Sequence, residues 1–221
     1  SSLDNATAVA RAMSHDAVAL IVTTATAQAP ARSGHKLIDG RRCLQLYFAN
    51  ISMWGPKARG WVTDQAANYH GVLLNEVHEA DPTNAIRHFR KVKMLADGTK
   101  ASATGLGGNS GGALVAFQLH LKAWFKPPSW APSDVKLKGW DWQAVIVRVR
   151  LTTLVIFTCY FTSGDHGDVN AIRFRQVLET KAILGRPAIL VGDFNQTPQE
   201  VADPGWPKLW NGHVIVPPPW N

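Results

Sequence analysis

The stretch Ile189-Leu190-Val191-Gly192-Asp193-Phe194-Asn195 sets an acid and an amide two residues apart at the end of an apolar run. Residues i and i+2 of a strand project to the same side. Asp193 and Asn195 are therefore expected to leave the end of a buried strand together, past a glycine that lets the backbone turn. A carboxylate beside a carboxamide there suits metal-assisted or phosphate-handling chemistry. The same residues also fit an ordinary Asp/Asn turn. Other strand ends carry polar residues of the same kind: Asn50, Asn75 with Glu76, and Tyr160 before a Ser-Gly-Asp turn. Hard divalent cations take oxygen ligands, commonly one or two carboxylates completed by substrate phosphate and water. Glu76 and Asp193 could supply the carboxylates, and Asn50 and Asn195 neutral oxygens or donors.

These residues need strands that end side by side. Strands are predicted over 43–50, 71–77, 113–121, 142–150, 152–161, 188–191 and 214–216, from short apolar, β-branched or aromatic runs bounded by Gly, Pro and Asn. Pro56 opens a helix to about Tyr69, whose inward face carries Ala58, Trp61, Val62, Gln65 and Ala66. Asp81-Pro82 caps a basic helix reaching about Met94, and Asp97-Gly98 marks a turn. A helix over 169–184 presents Ile172, Phe174, Val177, Leu178, Ala182 and Ile183 as its apolar set. Thr197-Pro198-Gln199-Glu200 reads as a capped helix start. No internal repeat is present. Adjacent strand pairs without intervening helices favour an α+β or mixed α/β sandwich over a doubly wound parallel sheet.

The 221 residues suffice for one sizeable domain. Residues 1–42 read as an Ala-rich, weakly ordered leader with one short helix, and 43–221 as the folded domain. A first residue other than Met suggests a fragment. Lys and Arg total 23 against 16 acids, a net +7 that suits a polyanionic partner. Cys43 and Cys159 lie in apolar runs and read as buried thiols rather than a disulfide. That pattern points to a reducing, intracellular compartment, the nucleus included. No apolar stretch approaches the roughly 20 residues of a membrane helix. Gly105 to Gly112 is glycine-dense, but a strand rather than a helix follows, so it reads as a turn and not a phosphate cradle. His78, His120 and His166 make no metal-spaced pair and read as surface or satisfied histidines. Lys122, Trp124, Lys126, Trp130, Lys136 and Lys138 interleave basic and aromatic groups, as do Trp140 and Trp142 after them. Such a loop could track a phosphate backbone and stack on bases, or pack on a sheet edge with its lysines in solvent.

From about Leu44 to Val201 the chain resembles the endonuclease/exonuclease/phosphatase superfamily, the deoxyribonuclease-I-like proteins. The motifs occur in that family's order: a strand ending in Asn50, Leu74-Asn75-Glu76-Val77, Gly111-Gly112-Ala113-Leu114-Val115, Thr158-Cys159-Tyr160-Phe161, and Val191-Gly192-Asp193-Phe194-Asn195-Gln196-Thr197-Pro198. The resemblance implies a four-layer sandwich of two mixed β-sheets flanked by helices, with its site at the open edge. It implies cleavage of a phosphodiester or phosphomonoester, dependent on Mg²⁺ or Mn²⁺, and the basic balance makes DNA the preferred substrate. Glu76 then matches the main metal-binding glutamate, and Asn50 an asparagine supporting metal and phosphate. Asp193 matches the aspartate that orients or activates water, Asn195 the asparagine that holds phosphoryl oxygens, and Tyr160 a tyrosine that bonds phosphate. The family's late Ser-Asp-His-type segment has no match, and His213 stands too early to be its histidine. The chain is therefore expected to be incomplete at its carboxyl-terminal end and inactive by itself. A catalytically inactive binding module, and a phosphatase of inositol lipids or other small phosphoesters, are the alternatives.

Overall fold

A computed structural model of the chain describes residues 9–12, 18–22, 37–38, 41–42, 44–104, 108–149, 151–162 and 167–215. One sheet contains β1 (Val9–Ala12), β5 (Gln45–Asn50), β6 (Gly71–Asn75), β10 (Ala113–Gln118) and β7 (Met94–Gly98), in that spatial order. Its first three strands run parallel and the pairings of β10 are antiparallel. The other sheet runs β11 (Lys122–Trp124), β13 (Trp142–Val149), β14 (Thr152–Tyr160), β15 (Ala188–Asp193), β2 (Val18–Val22), β16 (His213–Ile215), with β12 (Lys138–Gly139) also on β13. Here β14 and β15 are parallel and the other pairings antiparallel. Two small ribbons pair β3 (Leu37–Ile38) with β4 (Arg41–Arg42) and β8 (Ser102–Ala103) with β9 (Asn109–Ser110).

The layers follow from which face of each strand is apolar. Leu46, Phe48, Leu73, Val115 and Phe117 of the first sheet meet Val145, Val147, Ile156, Ile189 and Val191 of the second in one buried cluster. The opposite face of the first sheet carries Tyr47, Val72, Leu74, Leu114 and Ala116. It packs on α1 (Pro56–Gln65) through Val62, and on α2 (Thr83–Lys91) through Ala85 and Phe89. The opposite face of the second sheet carries Ala144, Ile146, Phe157 and Leu190. It packs on α3 (Gly167–Leu184), α4 (Pro198–Ala202) and α5 (Trp206–Trp210) through Phe174, Val177, Val201, Trp206 and Trp210. The chain is thus a mixed α/β four-layer sandwich with both sheets buried on both faces. That explains why its strands read as continuous apolar runs rather than alternating ones.

Several local expectations shift. The segment read as a leader contributes β1 to one sheet, β2 to the other and the β3–β4 ribbon, and its remaining residues, with Cys43, lie outside the described part. Asp97-Gly98 ends β7 rather than turning, because both residues pair with β10. The loop 122–140 contains β11 and β12. Gln65 is exposed although expected on the inward face of α1, whereas Val62 and Ala66 are buried. On α3, Ile172 and Ile183 face solvent at 53% and 54% exposure, while Asn170, Arg173 and Thr180 are buried. This helix turns a polar stripe inward, which an apolar-periodicity reading cannot find. Thr197 and Glu200 form the expected capping box at the start of α4.

Candidate active site

Because β5 and β6 are parallel in one sheet and β14 and β15 in the other, their carboxyl ends gather at one edge of the sandwich. Asn50, Asn75 with Glu76, Tyr160 and Asp193 stand there. Hydrogen bonds join the sheets across this edge. Asn50 Nδ2 donates to Asp193 Oδ2 at 2.8 Å. Asn75, fully buried, donates from Nδ2 to the Cys159 carbonyl at 2.7 Å and accepts from Thr158 Oγ1 at 2.8 Å. An unpaired amide at that depth would cost about 1–3 kcal/mol, so the bonding to β14 also fixes the end of β6.

Gly192 remains within β15 and is not a turn residue. A Cβ there would collide with the Cys159 carbonyl of the parallel neighbour β14, so glycine answers close approach rather than chain reversal. The turn falls at Asn195, whose φ is +46°. Its backbone N–H donates to Asp193 Oδ1 at 3.0 Å and its Nδ2 to the Phe161 carbonyl at 2.7 Å. Asp193 and Asn195 are therefore neighbours through an Asx-type turn and not through strand alternation. Each Asp193 oxygen accepts one of these bonds.

Tyr160 lies between the acids. Burial pushes its hydroxyl well above the ordinary tyrosine range. The Glu76 carboxylate, as hydrogen-bond acceptor and as charge, and the Asp193 charge push the same way, while the Asn195 amide opposes them. Tyr160 is thus a neutral donor at physiological pH. A raised native pKa adds stability that is fully present below about pH 10 and lost as pH rises through the native value. In an absorbance titration, the phenolate increment missing from Tyr160→Phe is expected above the pH at which an exposed tyrosine ionises. An increment at or below pH of about 10 would contradict this environment.

Three residues enter the constellation that the motifs did not assign to it. His78 Nε2 stands 3.8 Å from Glu76 Oε1, is itself buried and has no hydrogen-bond partner among the described residues. Its i+2 spacing from Glu76 was the available signal. Asp141 and Arg173 form a buried ion pair with Arg173 Nη2 2.7 Å from Asp141 Oδ2, both side chains under 5% exposed. Asp141 Oδ1 accepts from Gly112 N at 3.0 Å, and its carbonyl accepts from Tyr160 N at 2.8 Å. Burial raises the Asp141 carboxyl above its ordinary value, against the pull of the Gly112 N–H and the Arg173 charge, with Glu76 and His78 also felt there. Of seven non-glycine residues at positive φ among those described, Glu76, His78, Asp141 and Asn195 belong to this edge. Each such conformation costs on the order of 1–3 kcal/mol and persists only where its surroundings enforce it, as at functional sites.

The basic and aromatic loop residues are placed differently. Lys122 lies over the Trp124 ring at 5.1 Å, and Trp124 packs on the outer core cluster. Lys138 is held by Asp97 Oδ2 at 2.6 Å and by the Gly98 carbonyl at 3.1 Å. Trp130 is partly exposed beneath Arg186, and Lys126 and Lys136 are exposed. Cys159 is a buried free thiol whose pKa burial pushes up. Of the histidines, His166 lies outside the described residues, and His120 is exposed with its ring edge-on to His70 at 6.2 Å. No helix among the described residues is long and apolar enough to cross a membrane. No group of three or more His, Cys, Asp or Glu side chains among them is placed to hold a metal ion.

No family model matches the chain, and no curated protein matches it in sequence. Solved structures resemble it. The endonuclease domain of TRAS1, a telomere-specific non-LTR retrotransposon, is 16% identical at a TM-score of 0.45, with 70% of this chain and 60% of that chain covered. The human Nocturnin catalytic domain is 13% identical at 0.45, with 67% and 61% covered. The 3′ phosphatase NExo from Neisseria, bound to product DNA hairpin, is 12% identical at 0.47, with 69% and 58% covered. The likeness to these structures is one of fold. The chain spans about 60% of the length of these structures.

Proposed function

We propose that this chain is a phosphoesterase domain that uses Mg²⁺ or Mn²⁺ and acts on nucleic acid, with DNA the preferred substrate. The observation that supports this best is the Asn50–Asp193 hydrogen bond across the two sheets, at the edge where Glu76, Tyr160 and Asn195 also meet. The donor set suits a hard cation. Glu76 and Asp193 offer carboxylate oxygens around one neutral hydroxyl, and such cations bind through one or two carboxylates with water and phosphate completing the shell. Glu76 would hold the ion. When bound, it would supply positive charge against phosphoryl oxygens and against the charge developing in the transition state.

The chain's own groups account for the remaining roles. The Asp193 carboxylate, fixed by Asn50 and by the Asn195 backbone, aligns a water and takes its proton. Tyr160, kept protonated, directs its one hydroxyl proton at the Glu76 carboxylate in this structure and would turn it to a phosphoryl oxygen of the substrate. The Asn195 amide, held by the Phe161 carbonyl, lies beside that hydroxyl and donates to the same group. Donors held at this edge stabilise negative charge as it develops on the phosphoryl group. The net charge of +7 favours a polyanionic substrate.

The deciding measurement is metal-dependent turnover of a nicked or abasic duplex, together with calorimetric Mn²⁺ binding. Glu76→Gln is expected to remove most Mn²⁺ affinity while leaving the melting temperature nearly unchanged. Undiminished Mn²⁺ binding by that variant would overturn the reading, whereas metal-dependent hydrolysis of a phosphoester by this chain would support it and overturn the expectation that the chain is inactive by itself.

A further inference from the structure

Trp140 is an exposed tryptophan that the fold ties to the active-site edge through Asp141 and Arg173. Its indole is 54% exposed. The Arg173 guanidinium lies over the ring, 4.5 Å from its centroid. That guanidinium is not a free cation. It donates to Asp141 Oδ2 at 2.7 Å, to Thr162 Oγ1 at 2.6 Å and to Asn170 Oδ1 at 3.1 Å, and Arg173 is 2% exposed. The pair therefore presents solvent with an indole and no unpaired charge.

The backbone ties this indole to the site. The next residue, Asp141, accepts the Tyr160 N–H on its carbonyl at 2.8 Å and the Gly112 N–H on its carboxylate at 3.0 Å. Gly111 and Gly112 in turn accept the N–H groups of His78 and Val77, the residues that follow Glu76, at 3.0 and 3.3 Å. The other tryptophans of the same loop differ. Trp124 and Trp142 pack in the core cluster. Trp130 is 41% exposed over Arg186, but no described contact joins it to the site.

We propose that Trp140 is a stacking platform for a nucleobase of the substrate strand, next to the phosphate held at Glu76, Tyr160 and Asp193. The assignment rests on the phosphoesterase reading above and deepens it. An exposed indole braced from behind by a neutralised guanidinium offers a flat apolar face, which suits a base of any identity and has no preference for phosphate. Base stacking on an aromatic side chain is tolerant of sequence for this reason. The braced geometry is already set before binding, so little ordering of the side chain is needed.

The test compares binding of a short single-stranded oligonucleotide with that of the same strand carrying abasic sites, by anisotropy at one salt concentration without metal. Trp140→Ala is expected to weaken binding of the base-bearing strand by roughly tenfold, within the range of about 5- to 150-fold that one stacked base represents, and to leave the abasic strand unchanged. Trp140→Phe should recover most of the affinity. Equal losses on both strands would reveal a purely structural role and overturn the assignment. No loss on either strand would also overturn it, with the phosphoesterase reading still standing. If the wild-type chain binds neither strand, the nucleic-acid reading itself falls.

Discussion

Replacing Arg173 by methionine is expected to destabilise the fold by about 3–5 kcal/mol, because a buried carboxylate is left without its counter-charge. Asp141 cannot turn to water. Its side chain is 4% exposed and its φ is +58°. It is also pinned by Gly112 on one carboxylate oxygen and by Tyr160 on its carbonyl. A Cβ at Gly111 would collide with the same carboxylate, so the backbone at Gly111 is shaped around this acid. Arg173 additionally loses its bonds to Thr162 and Asn170, which hold the chain just beyond Tyr160. Urea denaturation measures the effect as a lower midpoint at unchanged slope. Adding Asp141→Asn to Arg173→Met should recover part of the loss, since the unpaired charge is then gone. A loss under about 1 kcal/mol would show that the pair behaves as a solvent-screened one, against its burial.

Wherever metal-dependent phosphoester hydrolysis is measurable, Asp193→Asn is expected to lower its rate by about 10²–10⁴-fold, the usual contribution of a positioned general base. The amide keeps the shape of the carboxylate but carries one acceptor oxygen in place of two. Only one of the two contacts, with Asn50 Nδ2 or with the Asn195 N–H, can then survive as drawn. No group is left at that position to take a proton. The loss should fall on kcat, with KM altered little, because the proton is transferred only in the transition state. Asn50→Ala should give a smaller loss in the same direction, since it removes the support and not the base. Hydrolysis by Asp193→Asn within about threefold of wild type would exclude Asp193 as the base, given that positioned bases contribute far more.

The legible part of this protein is the part written in short runs. Strands 71–75, 142–149, 152–160 and 188–193 follow from β-branched and apolar runs bounded by turn residues, and the capped start at Thr197 from side-chain chemistry three residues apart. The polar strand ends Asn50, Glu76, Tyr160 and Asp193 could be named from sequence because each closes such a run. Their meeting could not be derived from the runs. It depends on β5 and β6 being parallel, on β14 and β15 being parallel, and on the two sheets facing each other. Those pairings join segments 25 and 33 residues apart, as in Leu46 with Gly71 and Val155 with Ala188, and the facing of the sheets brings Asn50 to Asp193 across 143 positions.

The buried polar support was not legible either. Arg173 looks like a solvated residue on an amphipathic helix, and Asp141 like a loop acid between two tryptophans. Only the packed structure removes both from water, and only then must they pair, because a lone charge at that depth is too costly to keep. Likewise, the Gly-Asp-Phe-Asn run specified by itself that a carboxylate and an amide would stand together after a buried strand. Tertiary structure decided how: Gly192 admits the Cys159 carbonyl, Asn195 takes the left-handed turn, and Asn50 arrives from the opposite sheet. Local sequence sets which groups are available because strand ends and caps are short-range, and the distances between those groups are set by burial of the two sheets against each other.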